Sequence, residues 1–179
     1  MAEILIRNAT SVVTMNPARD EIAGGDVLIR GGAIAAVGQG LTTTGAVIEA
    51  AGCVVTPGLV NTHHHLYQTL TRAVPRGQDA LLFGWLKTLY PIWARFGPEE
   101  IRVSALAGLA ELAFSGCTLT SDHLYLYPNG ARLEDTIEAA AEIGLRFHPT
   151  RGAMSIGESR GGLPPDALVE DEAAILTDM

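Results

Sequence analysis

A chain of 179 residues with 47% hydrophobic and only 18% charged positions is long enough for one ordinary domain with a packed core. Twenty acidic against twelve basic residues give a formal net charge of -8, which disfavours nucleic acid and anionic lipid as partners. No apolar run approaches the ~18 residues of a membrane span, and no basic-then-apolar leader opens the chain. Cys53 and Cys117 form no C-x-x-C pair, so a reducing, cytoplasmic setting is the simplest reading.

Residues 4–6, 11–15, 26–30, 33–38, 47–49 and 53–56 read as short strands. Gly31-Gly32 between two β-rich runs is a hairpin signal. Together they predict a small, largely antiparallel unit over residues 1–56. The pattern changes at Pro57-Gly58. Residues 80–94, rich in Leu, Trp, Phe and Tyr, predict a mostly buried helix. Pro98 followed by Glu99-Glu100 is a helix start, and Ile101, Ala105, Leu109 and Leu112 recur at helical spacing until Gly116. Residues 117–121 predict a strand that ends at Asp122-His123. Residues 133–143 predict a helix closed by Gly144, and residues 145–150 a third strand. A last helix is expected from Asp166 to Met179. Strands alternating with helices after residue 57 argue for βα units and a parallel sheet. Three such units do not close an eight-stranded barrel and leave apolar edges unpaired. Residues 57–179 therefore read as a small open α/β domain or as part of something larger. The unfinished last helix and the β-rich start favour the latter.

Three of the five histidines stand in a row in Pro57-Gly58-Leu59-Val60-Asn61-Thr62-His63-His64-His65. Strand alternation puts His63 and His65 on one side and His64 on the other. Two imidazoles on one face are half of a metal site. The competing reading is a polar turn after a core strand, or an adventitious triplet. The apolar approach through Val54-Val55 and Leu59-Val60, kinked at Pro57-Gly58, matches the way α/β proteins present ligands at the carboxyl ends of strands.

The segment from Pro57 to His65 resembles the metal-binding first strand of the amidohydrolase superfamily. Gly24-Gly25-Asp26-Val27-Leu28-Ile29 and Gly32-Ala33-Ile34-Ala35-Ala36-Val37-Gly38 look like that family's N-terminal β-sandwich strands. The resemblance extends through residues 65–68, 82–86 and 115–123 to the branch holding guanine deaminase and the s-triazine chlorohydrolases. The run from Arg151 to Ser159, with Gly161-Gly162-Leu163-Pro164-Pro165, is similar to the group of 8-oxoguanine deaminase and hydroxydechloroatrazine ethylaminohydrolase. The implied fold is α/β, the N-terminal portion of a metal-dependent (β/α)8 TIM barrel over residues 57–179, preceded by strands of a small β-sandwich over residues 1–56. The implied chemistry uses one divalent metal, zinc or else iron, to activate water against a ring carbon bearing an amino group. For 8-oxoguanine this gives urate and ammonia. By the family pattern His63 and His65 are metal ligands and Gln68 touches the purine, its amide both donating and accepting. The remaining ligands, a histidine and an aspartate, and a further histidine and glutamate that handle protons, lie beyond the third strand. No catalytic acid or base is therefore assigned here. The resemblance implies a complementary C-terminal polypeptide, a homo-oligomer of the full enzyme, and no activity for this chain alone.

Other candidates each carry two readings. Trp85 is a core or subunit contact, or a stacking lid over a flat heterocycle. His123 is a strand-end polar residue, or a group that orients substrate or holds a ligand from behind. Arg151 follows the third strand in the same way, and its guanidinium suits a substrate carbonyl. His64 reads as a packing residue, His148 as buried structure, and Tyr125 and Tyr127 as loop packing. The glycine-rich run 157–162 lacks the context of a phosphate cradle. The apolar helix of residues 81–93 suits either a twin subunit or the rest of a barrel. The functional alternatives are deamination of guanine or isoxanthopterin, removal of chloride or an alkylamine from a triazine, or a non-catalytic fragment or assembly protein.

Overall fold

A computed structural model describes residues 3–179 as two units, one through Pro57 and one from Gly58. The first unit holds β1 (Glu3–Val13), β2 (Glu21–Arg30), β3 (Ala33–Gly38), β4 (Ala46–Glu49) and β5 (Val54–Val55). Its sheet runs β3-β2-β1-β4, with β5 also on β1. The hairpins β1–β2 and β2–β3 are antiparallel, but β4 and β5 join β1 in parallel. The sheet is thus mixed rather than largely antiparallel, because the chain crosses from β3 to the free edge of β1 instead of making another hairpin.

Residues expected as two strands form the single eleven-residue β1. The break seen in the sequence is an irregularity between Ile6 and Ala9, where Asn8 takes a left-handed φ of 61°. Asparagine tolerates that conformation better than most residues. The Asn8 N–H donates to Asp26 Oδ1 at 2.9 Å, and Asp26 Oδ2 accepts the Leu41 N–H at 2.9 Å. Ala9, Val12, Val27 and Ala50 form the core around this staple.

The second unit carries β6 (Leu59–Asn61), β7 (Cys117–Leu124) and β8 (Arg146–Arg151) in a parallel sheet of order β6-β7-β8. Its helices are α1 (Leu82–Trp93), α2 (Pro98–Phe114), α3 (Leu133–Ile143) and α4 (Glu172–Asp178). α2 begins where Glu100 Oε2 accepts the Gly97 N–H at 2.8 Å, and α3 where Asp135 Oδ2 accepts the Arg132 N–H at 2.7 Å. Gly144, at φ 81°, ends α3. Ala105 and Leu109 of α2 pack with Ala139 and Ala140 of α3 and with Leu66.

Three expectations need correction. α1 is not mostly buried: Leu89, Tyr90 and Trp93 are, but Leu82 and Phe83 are 63% and 68% exposed. The last helix does not start at Asp166, which opens one 3-10 turn; α4 begins after Asp171, whose carboxylate accepts the Ala173 and Ala174 amides. His148 is exposed, because register pairs it with Ser121 on the face of the sheet away from buried Thr120 and Asp122.

Two 3-10 helices, Leu66–Thr71 and Pro75–Gly77, fill the stretch between β6 and α1. The first packs closely on α2, where a Cβ added at Gly108 would lie 2.8 Å from Leu66 Cδ2. Ser104 Oγ donates to the Leu66 carbonyl at 2.8 Å, and Trp93 Nε1 donates to Thr71 Oγ1 at 3.0 Å. Among the described residues no helix is long and apolar enough to cross a membrane.

Candidate metal centre

β6 ends at Asn61, so His63, His64 and His65 lie on the link between that strand and the 3-10 helix. The expected alternation nevertheless holds. The rings of His63 and His65 meet edge to face, 5.0 Å apart at 89°. His64 turns toward α2, where a Cβ at Gly108 would lie 3.9 Å from its Cε1. Burial first, then the neighbouring His65 and His63, hold the His64 pKa down.

β7 supplies the partner for His65. His65 Nδ1 lies 2.8 Å from the His123 carbonyl oxygen. A carbonyl only accepts, so Nδ1 carries the proton and Nε2 keeps its lone pair. Burial lowers the pKa of His65, against a smaller opposing effect of this hydrogen bond. A neutral imidazole with one nitrogen anchored and the other free is the form in which histidine binds metals. The His123 ring stacks on His65 with centroids 5.5 Å apart at 28°, and the backbone N–H of His123 donates to the His64 carbonyl at 2.9 Å. Gly152 backs that ring: a Cβ there would lie 3.0 Å from His123 Nε2 and 2.7 Å from Tyr125 Cβ.

Aromatic edges close the other side. Tyr125 meets His65 at 5.3 Å and 88°, and Tyr67 at 5.5 Å and 89°. Tyr67 is fully buried, and burial pushes its phenol pKa far up; burial also pushes Tyr90 up to about 12. Both remain protonated at neutral pH. Gln68 sits in the 3-10 helix with Nε2 donating to the Tyr67 hydroxyl at 3.1 Å. With His63, His64, His65, Thr69 and Arg72 it lines an open groove of about 300 Å³.

The other two candidates lie elsewhere. Trp85 packs on the aromatic core, its ring 5.4 Å from that of Trp93, with Gly77 against its edge. Arg151 projects from β8 on the face opposite Thr150. Its guanidinium is bound to Glu170 through two bonds at 2.7 and 3.0 Å, to Asp178 at 2.9 Å, and to the Gly152 carbonyl at 2.8 Å. It also lies 4.6 Å over the Tyr127 ring. That side chain is engaged within the chain, and Tyr127, read as loop packing, is its platform.

Asp122 escaped the sequence reading as a separate residue. It is fully buried, Oδ1 accepts the Leu66 N–H at 2.8 Å, and Oδ2 has no partner among the described residues. Burial pushes its pKa up to about 6. Its position between two strand-end residues carries no signal that the side chain turns inward; only the alternation from exposed His123 indicates it.

Among the described residues no group of three or more His, Cys, Asp or Glu side chains is arranged to hold a metal. His63 and His65 fit two positions of a zinc-type shell, which usually takes at least three protein ligands.

Comparison with known proteins identifies the family. A sequence model of the amidohydrolase family matches residues 54–175. 8-Oxoguanine deaminase of Pseudomonas aeruginosa is 45% identical over 185 residues, covering 99% of this chain and 40% of that protein. Isoxanthopterin deaminase of an unknown prokaryotic organism is 40% identical over 162 residues, covering 84% of this chain and 33% of that protein. The crystal structure of atrazine chlorohydrolase from Arthrobacter aurescens TC1 complexed with zinc superposes with a TM-score of 0.86 at 33% identity, covering 98% of this chain and 41% of that one. The chain thus spans about two-fifths or less of the length of these relatives. Its fold is the α/β fold of a partial (β/α) barrel preceded by additional β-strands. By sequence and by fold, the chain belongs to the amidohydrolase family.

Proposed function

We propose that this chain supplies His63 and His65 to a one-metal site, zinc first and iron second, in an aminohydrolase acting on a purine-like ring. The observation that carries the reading is the paired rings of His63 and His65, with His65 Nδ1 anchored on the His123 carbonyl. When bound, the metal would lower the pKa of water toward neutrality and supply the nucleophile. The reaction exchanges one exocyclic amino group for oxygen, consuming one water and releasing one ammonia. 8-Oxoguanine, giving urate, is the foremost substrate, because the 8-oxoguanine deaminase similarity runs through 99% of this chain at 45% identity.

The chain's own groups divide the remaining work. His123 fixes the tautomer of His65 and presents its ring beside it, where it orients substrate. Gln68 offers its amide to the purine edge from the groove, anchored by its bond to Tyr67. Trp85 shapes the wall behind this region through Trp93. Arg151, saturated by Glu170 and Asp178, holds the backbone after β8 rather than a substrate carbonyl. The other metal donors and the proton-handling groups come from polypeptide outside these 179 residues, and the completed enzyme is a homo-oligomer.

The similarity to a zinc-bound atrazine chlorohydrolase favours a second reading, displacement of chloride or an alkylamine from a triazine. Ammonia release from 8-oxoguanine, guanine and isoxanthopterin, measured on the protein completed by its remaining polypeptide, separates the two. Turnover of 8-oxoguanine above the others supports the first reading. No turnover of any of the three, with turnover of a chloro- or alkylamino-triazine, replaces it with the second.

A further inference from the structure

Asp122 combines full burial with a carboxylate oxygen that has no partner among the described residues. A buried carboxylate using half of its capacity is costly, so the work of its other oxygen needs explaining. Oδ1 accepts the N–H of Leu66 at 2.8 Å. Leu66 follows His65 directly, so this bond fixes the peptide plane on the C-terminal side of His65. The next residue of β7, His123, grips the same segment twice, its N–H on the His64 carbonyl at 2.9 Å and its carbonyl on His65 Nδ1 at 2.8 Å. From the other side Ser104 Oγ donates to the Leu66 carbonyl at 2.8 Å. Both polar groups of the Leu66 backbone are therefore held by side chains, one from β7 and one from α2.

We propose that Asp122 is a positioning residue for His65: by pinning the Leu66 amide it sets the backbone that lays the His65 ring on the His123 carbonyl and leaves Nε2 free as a donor. The functional meaning of this role rests on the reading of His65 as a metal ligand. Asparagine can offer the same oxygen to Leu66. Alanine and valine cannot, and valine fills space that alanine leaves empty.

The test uses the protein completed by its remaining polypeptide, with 15N-labelled histidine. Without metal, long-range 1H–15N correlation reads which His65 nitrogen carries the proton. Wild type and D122N are expected to keep the proton on Nδ1, whereas D122A and D122V show a mixture of tautomers. Ala139→Gly, at a buried position of α3, controls for general loosening and keeps the wild-type pattern. Titration with zinc alone is then expected to show binding weakened about 10- to 100-fold in D122A and D122V, the usual loss when a group supporting a ligand is removed, with D122N near wild type. A folded D122A or D122V that keeps the Nδ1 proton on His65 overturns the proposal, as does an equal loss in Ala139→Gly. A completed wild-type protein with the fixed tautomer but no zinc binding removes the metal reading and leaves the positioning role standing, so the two failures separate.

Discussion

The N-terminal unit buries Asp26, the βα unit buries Asp122 and, in α3, Asp135; Asp26 and Asp122 are wired differently. Asp26 is 3% exposed and both of its oxygens accept backbone amides, from Asn8 and Leu41. The Asn8 amide, the largest influence, holds its carboxyl below the usual range despite burial. Asp122 is 0% exposed, has one oxygen engaged, and is pushed up to about 6 by burial. The first is a staple that closes a bulge and a loop. The second is an under-satisfied group that holds the backbone directly after His65. A fully satisfied buried carboxylate is a net stabiliser, whereas one with an unpaired oxygen gives up stability for the backbone it holds.

The largest effect is expected at the site itself. His65→Ala should weaken zinc binding by more than the roughly 100-fold upper range for supporting residues, while leaving the N-terminal unit unchanged. Zinc titration followed by hydrogen exchange in each unit checks both halves of that statement. Asp26→Ala should do the reverse. It removes a charged acceptor from two part-buried amides, at about 1–3 kcal/mol each, so denaturant unfolding should register a loss of roughly 2–6 kcal/mol with the His65 tautomer intact.

The two aspartates should also differ in the sign of their pH dependence. Asp26 has a depressed folded pKa, so its contribution is present above the unfolded value near 3.8 and is lost as pH falls through the folded one. Asp122 has a raised folded pKa, so stability is fully present below about 3.8 and is lost as pH rises through about 6. At about 1.4 kcal/mol per pH unit across that window, the loss reaches roughly 3 kcal/mol by neutral pH. Unfolding curves of wild type and D122N between pH 4 and 7.5 should diverge by that order, and parallel curves would remove the contrast. A smaller change is expected from Gly152→Ala. The added methyl must displace Tyr125 or His123, at about 1–3 kcal/mol, and should shift the ring resonances of His123 more than those of His64.

Local signals were read well from sequence alone. The helix over residues 133–143 stands where Asp135 and Gly144 put it, and α2 starts at Pro98. Pairing between distant segments was not legible. Nothing in residues 47–49 or 53–56 says that they join β1 in parallel, because that depends on which edge of the sheet is free. Apolar content alone could not tell that Leu82 and Phe83 lie exposed at the start of α1. The 3-10 helix after His65 has no periodicity and is held by Ser104, Trp93 and Asp122, all far along the chain. The histidine pair was visible as H-x-H. The carbonyl that orients it is 58 residues away, and Arg151 looked free until Glu170 and Asp178 folded onto it.

The most direct test is zinc added to the 15N-histidine-labelled protein completed by its remaining polypeptide, with the five imidazoles of this chain followed together. The account predicts that the ring nitrogens of His63 and His65 shift as a pair, with Nε2 of His65 taking the metal, while His64, His123 and His148 keep their metal-free pattern. Zinc that perturbs His64 or His148 as strongly as His65, or that leaves His63 and His65 unchanged, would contradict it.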